Sequence, residues 1–279
     1  MITGASRGLG REIARAFLRE GARVLLCARN PIELEETRKA LDEMAKGRVH
    51  SAVTDVTSEA ALDALAAEAK SRLGGVDILV ANAGIQGPKG PFEENDWAKW
   101  METIRINLLG TVYCCRALLP MLKSAQRGKI LILSGGGATK PMPFFSAYAA
   151  SKAGVVRFGE TLAEELKPQG IDVNMIAPGA LNTKMLDEVL EAGPKGVGEA
   201  YYRAALKQRD TGGASMDRAA SLCVHLASHE CDGITGRLIS APWDNWEQLE
   251  AHRDELAASD IYTLRRIVPE ERGKKWVTP

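Results

Sequence analysis

Tyr148 and Lys152 stand four residues apart in the segment YAASK. On a helix that spacing puts both side chains on one face. A phenol ordinarily loses its proton near pH 10, too high for exchange near neutrality. An ammonium on the same face favours the phenolate and pulls that value down. Such a pair can give a proton to a carbonyl, or take one from an alcohol in reverse, as a hydride moves at the carbon. A Tyr and a Lys at this spacing also occur as a plain amphipathic pair. The segment KILILSGGG (129–137) just ahead of them, a strand running into a glycine turn, argues for the chemical reading.

A second group of residues suits an anion. TGASRGLG (3–10) follows a strand remnant and opens a helix. Gly4, Gly8 and Gly10 permit tight turning and close backbone approach, and Ser6, Arg7 and Leu9 complete the loop. The free N–H groups of a helix start bind a pyrophosphate. An NAD site ordinarily places a carboxylate at the end of the second strand to accept the ribose 2′-hydroxyl. Here that place reads Cys27-Ala28-Arg29-Asn30, with no acid. Arg29 and Arg7 suit a 2′-phosphate instead, so the expected cofactor is NADP(H) rather than NAD(H).

These groups need a scaffold that brings strand ends together. RVLLCA (23–28), RVHSAV (48–53), VDILVANAG (76–84), KILILS (129–134) and IDVNMIAP (171–178) are nearly continuous in apolar residues, as strands buried on both faces are. Helical stretches separate them. GREIARAFLREG stops at Gly21, and NPIELEETRKALDEMAKG opens with Asn30 as cap, Pro31 in the first position and Glu33 in the first turn. The alternation predicts an α/β fold, a single doubly wound Rossmann-type domain with a parallel sheet, over residues 1–240. Residues 241–279 form an extension carrying Trp243, Trp246, Tyr262 and Trp276. Its aromatics are expected to pack on the domain, over the site, or on a partner subunit. Only Met1 and Ile2 precede the glycine loop, so either the first strand is very short or the start of the chain lies upstream.

Composition narrows the class. Thirty-six basic and thirty-six acidic residues give a formal net charge of zero. That excludes nucleic-acid or membrane-surface binding through bulk charge. No apolar run has the length of a membrane span and no signal peptide is evident. Five cysteines without a C-x-x-C, namely Cys27, Cys114, Cys115, Cys223 and Cys231, read as reduced residues of a cytoplasmic protein. Cys223, His225, His229 and Cys231 are close in sequence, but helical spacing does not converge all four, so no metal site is expected.

Taken together, the motifs resemble those of the short-chain dehydrogenase/reductases, from Met1 to about Ser240. The resemblance rests on TGASRGLG, TDV (54–56), ANAG (81–84), Asn107 in INLLG, YAASK and PGALNT (178–183). It implies a seven-stranded sheet, a homodimer or homotetramer, and a small-molecule substrate. It also implies roles. Asp55 and Val56 would flank the adenine, and Asn82, Ala83 and Gly84 would line the cofactor. Pro178, Gly179, Leu181 and Thr183 would hold the nicotinamide end. Lys152 would hold the nicotinamide ribose, and Asn107 would bend its helix and bind a water that relays protons.

One position departs from the family. Gly135, thirteen residues before Tyr148, stands where a serine would hold the substrate carbonyl. Losing one such donor costs on the order of a hundredfold in rate. Ser134, Ser146, Thr139, a water or a backbone N–H of the GGG turn are the possible replacements. Three successive glycines suggest that backbone geometry is what the turn provides. Ser146 also suits the cap of the Tyr–Lys helix. The expected activity is hydride transfer between NADP(H) and a carbonyl/alcohol pair. The alternatives are a cofactor-binding scaffold or sensor on the same frame, and a subunit whose aromatic tail is a contact. The substrate pocket is expected around residues 85–95, 135–145 and 184–215, the last as a mobile lid, with KPMPFF (140–145) lending aromatic character.

Overall fold

Seven parallel strands form one sheet in the order β3-β2-β1-β4-β5-β6-β7. The computed structural model describes residues 1–276. β1 (Ile2–Thr3) has two residues, yet it pairs with β2 (Val24–Ala28) on one side and β4 (Ile78–Ala81) on the other. Then come β3 (Val49–Val53), β5 (Lys129–Leu133), β6 (Asp172–Ala177) and β7 (Leu238–Ser240). β4 is shorter than its apolar run, which leaves Asn82–Gly84 as a loop at the strand end.

Alternation along β2 divides the core. Val24, Leu26 and Ala28 face a cluster with Ile13 and Phe17 of α1 (Gly8–Arg19) and Leu222 of α9 (Met216–Ala227). Leu25 and Cys27 face the other cluster, with Leu62 of α3 (Glu59–Leu73), Leu118 of α5 (Gly110–Ser124) and Val155 of α6 (Ser146–Leu166). A strand buried on both faces needs such a run, because period-two alternation sends neighbours to opposite layers. All five cysteines are free and buried.

Local chemistry ends the helices near the expected places. Asn30 caps α2 (Pro31–Asp42), its side chain accepting from Ile32 N at 3.0 Å and Glu33 N at 3.3 Å. The helix ends at Asp42, five residues before Gly47. α4 (Trp97–Ile104) runs into α5 through a widened π turn at Arg105–Leu109, which holds Asn107. Within the 184–215 stretch lie two helices, α7 (Lys184–Val197) and α8 (Glu199–Thr211).

Residues after Ser240 lie on the same chain. Trp246, Leu249 and Leu256 join the α1/α9 core, and Trp246 Nε1 donates to Ala241 O at 3.1 Å. Buried Arg237 donates to the carbonyls of Ser259 (3.0 Å), Ile261 (2.8 Å) and Leu256, fastening the extension beside β7. Trp243 and Trp276 stay exposed. Among the described residues no helix is long and apolar enough to cross a membrane.

At the N-terminal end of β5, buried Lys129 reaches Asp172 at 2.8 Å and Asp232 at 2.7 Å. Asp172 also accepts from Gly233 N at 3.0 Å, which ties β5, β6 and the turn before β7 together. Replacing Lys129 with Met leaves buried Asp172 without a cation and Asp232 with the more exposed Arg127 at 3.6 Å. The expected loss is about 3–5 kcal/mol of stability, read as a fall in the urea midpoint, with the loop chemistry at the opposite strand ends unaffected.

Candidate active site

Strand order reverses between β1 and β4, and ligands of open α/β sheets bind in the crevice at the carboxyl ends of such strands. Asn82 closes its floor. Its Nδ2 donates to Thr3 O at 2.9 Å and Gly4 O at 3.1 Å. Thr3 Oγ1 in turn accepts from Asn82 N and Ala83 N, both at 3.0 Å. The glycine loop therefore lies directly on the β4 loop. A Cβ on Gly4, whose φ is +63°, would fall 2.8 Å from Ala83 Cα, and one on Gly10 would fall 2.7 Å from Asn82 Nδ2. Neither place tolerates a side chain.

The start of α1 carries no side-chain cap and no acid in its first turn. Its N–H groups are thus available to an anion, which fits a dinucleotide pyrophosphate. A cavity of about 1650 Å³ runs from this helix start in both directions. It gathers the whole loop from Gly4 through Ser6, Arg7, Gly8 and Leu9 to Gly10, together with Arg29 and Val56. Asn82, Ala83 and Gly84 line its floor, and Pro178, Gly179, Leu181 and Thr183 line the opposite wall. Ser134, Tyr148 and Lys152 stand at the far end.

Two sequence candidates fall outside this cavity. Asp55 accepts from Thr57 N at 2.9 Å and Thr57 Oγ1 at 2.8 Å, and it lines a separate small hollow behind Arg29. Asn107 is buried in the π turn, with its side chain already engaged. Its Oδ1 accepts from Ile85 N at 2.8 Å, while Nδ2 donates to Ile85 O at 2.8 Å and Ser151 Oγ at 2.9 Å. Its own carbonyl accepts from Thr111 Oγ1 at 2.8 Å. Asn107 thus fastens the loop after β4 to α6.

Lys152 Nζ is buried and donates to Leu133 O at 2.8 Å, 5.8 Å from the centre of the Tyr148 ring. Burial lowers its pKa from 10.5 to about 8. Burial, with the Tyr201 phenol adding to it, pushes Tyr148 up to about 12. The direction is opposite to the expectation from the ammonium alone. Desolvation of the phenolate is the larger effect.

Gly135 explains itself through Tyr148. Its backbone is extended, with φ −175° and ψ 173°, and none of Gly135, Gly136 or Gly137 has a positive φ. The expectation that this turn exploits special backbone angles is therefore corrected. Space is the constraint. A Cβ on Gly135 would collide with Tyr148 Oη and sit 3.2 Å from Cζ. One on Gly137 would sit 2.8 Å from Ala149 Cα. The glycine turn lies flat on α6, and the phenol fills the position of the absent side chain.

β5 ends at Leu133, and Ser134, whose N–H still donates to Ile176 O at 2.8 Å, lines the cavity. Its Oγ is buried without a hydrogen-bond partner. Thr139 also lines the cavity. Ser146 does not cap α6: it is the first helical residue, and its Oγ accepts from Trp100 Nε1 at 3.1 Å. The α7–α8 pair roofs the far end through Leu186, Val189 and Ala205, packed on Phe145. The Tyr201 ring packs on Phe145 at a tilt, with centroids 4.9 Å apart, and reaches the cavity, as do Gln86, Glu33 and the exposed Trp243. Sequence reasoning marked the blocks holding Gln86 and Tyr201 but not the residues, and read Glu33 only as a first-turn acid. Among the described residues no group of three His, Cys, Asp or Glu side chains has metal-holding geometry.

The family model for short chain dehydrogenases matches residues 1–193. A 2-dehydro-3-deoxy-L-rhamnonate dehydrogenase (NAD(+)) of Sphingomonas sp. (strain SKA58) is 31% identical over 235 residues, 84% of this chain and 90% of that protein. The 3beta-hydroxysteroid dehydrogenase 1 of Eggerthella lenta is 37% identical over 240 residues, 85% of this chain and 88% of that one. An NADPH-bound short chain oxidoreductase of Pseudomonas aeruginosa PAO1 containing an atypical catalytic center superposes with a TM-score of 0.76 at 29% identity, covering 88% of this chain and 95% of that chain.

Gly135→Ala adds one methyl and no hydroxyl. It should cost about 1–3 kcal/mol of stability through overpacking and displace the phenol. Denaturant titration and a crystal structure of the variant check both. Lys152→Met removes a buried cation. The unfolded lysine binds its proton up to 10.5 and the folded one only up to about 8. Below pH 8 the burial penalty acts in full; between those values the wild type gains stability with rising pH. The variant should therefore be more stable than wild type at pH 7, by on the order of 3 kcal/mol, and the gap should narrow by pH 9.5 in paired urea titrations.

Proposed function

The chain belongs to the short-chain dehydrogenase family, and on that premise we propose that this oxidoreductase moves a hydride between NADP(H) and a carbonyl/alcohol pair with Tyr148 as its acid and base. The observation that carries the reading is the meeting, in one cavity, of an uncapped helix start, a buried lysine and a tyrosine phenol. The bound nicotinamide supplies or accepts the hydride. The N–H groups of α1 hold the pyrophosphate, while Arg7 and Arg29 face the 2′-phosphate. Val56, with Asp55 behind it, flanks the adenine. Asn82, Ala83 and Gly84 form the floor, and Pro178, Gly179, Leu181 and Thr183 hold the nicotinamide end.

Tyr148 Oη gives its proton to the substrate oxygen as the carbon receives the hydride. A phenol held at about 12 is loaded with that proton across the physiological range, which suits the reductive direction. Lys152 holds the nicotinamide ribose and carries the positive charge that eases departure of the proton. Ser134 Oγ, buried and unpartnered, supplies the second hydrogen bond to the substrate oxygen in place of Gly135. Asn107 keeps the wall between Ile85 and Ser151 fixed. Phe145, Tyr201 and Leu186 suit an apolar or ring-bearing ketone. A homodimer or homotetramer in the cytoplasm goes with this reading.

A second reading, a sensor that binds cofactor without turnover, draws on the same Gly135. Following NADPH oxidation across a panel of ketones separates the two. Tyr148→Phe should reduce turnover by about a hundredfold or more, with NADPH affinity within about twofold of wild type. Lys152→Ala should damage both. Wild-type binding of NADPH with no turnover on any substrate supports the sensor, and full activity in Tyr148→Phe removes the mechanism.

A further inference from the structure

The adenosine end of the cavity holds a carboxylate that the second strand does not supply. Glu33 lies in the first turn of α2. Its oxygens accept from Arg7 Nη1 at 2.9 and 3.2 Å and from Ser6 Oγ at 3.3 Å. Both donors belong to the glycine loop. One turn further along α2, Thr37 Oγ1 donates to Ser6 O at 2.6 Å. The loop and α2 are thus fastened together, and the carboxylate is held at the cavity wall near Ala28, Arg29 and Asn30. Arg29 makes no ion pair among the described residues, so the two arginines of the site are not equivalent.

The side chains of Arg7 and Glu33 are 54% and 34% exposed, so their pair is screened and exchangeable. A dianionic 2′-phosphate must draw Arg7 away from Glu33 and then sits beside a like charge. An unphosphorylated ribose brings a hydroxyl donor to the same place and finds an acceptor. We propose that Glu33 is a determinant of cofactor choice: it restrains Arg7 and serves as a ribose acceptor delivered from α2 instead of from the end of β2. The preference for NADP(H) is then narrower than two free arginines would make it, and NAD(H) remains a usable cofactor. This rests on the reading of the cavity as the dinucleotide site.

Glu33→Gln keeps the shape and removes the charge. Fluorescence titration of NADPH and NADH, and calorimetric titration of AMP with and without a 2′-phosphate, give four affinities for each protein. The ratio of NADH to NADPH dissociation constants should rise about five- to tenfold in the variant. The two AMP probes should move in the same sense, and the shift should shrink as salt is added. Arg7→Ala in the Glu33→Gln background should abolish most of the gain, because the freed guanidinium is what the phosphate acquires. An unchanged ratio in Glu33→Gln overturns the proposal, whichever cofactor the wild type prefers. A wild type that prefers NADH, with a ratio that still moves, sinks the NADP assignment and leaves the role of Glu33 standing. Failure of all four probes to bind removes the premise and the proposal with it.

Discussion

The amide of Asn82 is the contact on which the rest of the site depends. A two-residue strand has little hold of its own, and β1 must still present the glycine loop at a fixed height. Asn82 bonds to two successive carbonyls of that loop while Thr3 Oγ1 gathers two N–H groups from the β4 loop. Four partly buried hydrogen bonds add to the short ladder of β1, each contributing on the order of 1 kcal/mol. The close approach also dictates glycine at positions 4 and 10. From that height, α1 starts with its N–H groups aimed along the crevice, and the opposite wall is set by the strand spacing.

A second contact sets the chemistry. Family resemblance frames Gly135 as a loss, a serine position without its hydroxyl. The structure frames it as a space that the Tyr148 phenol occupies. The two views have different consequences. A lost donor is repaired by adding one back. A filled space is not repaired so simply, because the incoming side chain must displace a phenol that packs against the α7–α8 roof. The neighbouring Ser134 then matters more, since it lines the same cavity and its buried hydroxyl has no protein partner.

Much of the fold was legible because it is local. Strand runs, the Asn30 cap and the glycine loop each depend on a few adjacent residues. Tyr148 and Lys152 were legible because helical spacing alone puts them on one face. What escaped depends on contacts across the chain. Gly135 takes its meaning from a ring thirteen residues on. Ser146 reads as a cap until Trp100, forty-six residues away, claims its oxygen. Glu33 satisfies every local rule for a first-turn acid, so nothing in its own helix reveals that it grips the glycine loop. Spacing shows that a lysine is near Tyr148, but not that the phenol is buried or that Lys152 Nζ donates to Leu133 O.

Two buried ammonium groups, one below each end of β5, show where the fold serves stability and where it serves chemistry. Lys129 opens the strand and meets two carboxylates, one of which also accepts a backbone N–H. Its charge is matched inside the protein, as a buried ion usually must be. Lys152 touches the other end of the same strand and has a single carbonyl. Among the described residues no carboxylate answers it, and burial pulls its pKa down to about 8. A cation left short of partners beside a cavity is costly to keep and is electrostatically available to whatever enters. The phenol beside it is likewise held in its neutral form by burial. Both groups therefore wait in an environment that disfavours charge, at the end of the sheet where strand order opens a crevice. A ligand that brings anionic and hydroxyl groups into that crevice supplies what Lys152 lacks. The asymmetry along one strand, matched charge at its start and unmatched charge at its end, marks the carboxyl edge of the sheet as the working edge on physical grounds alone.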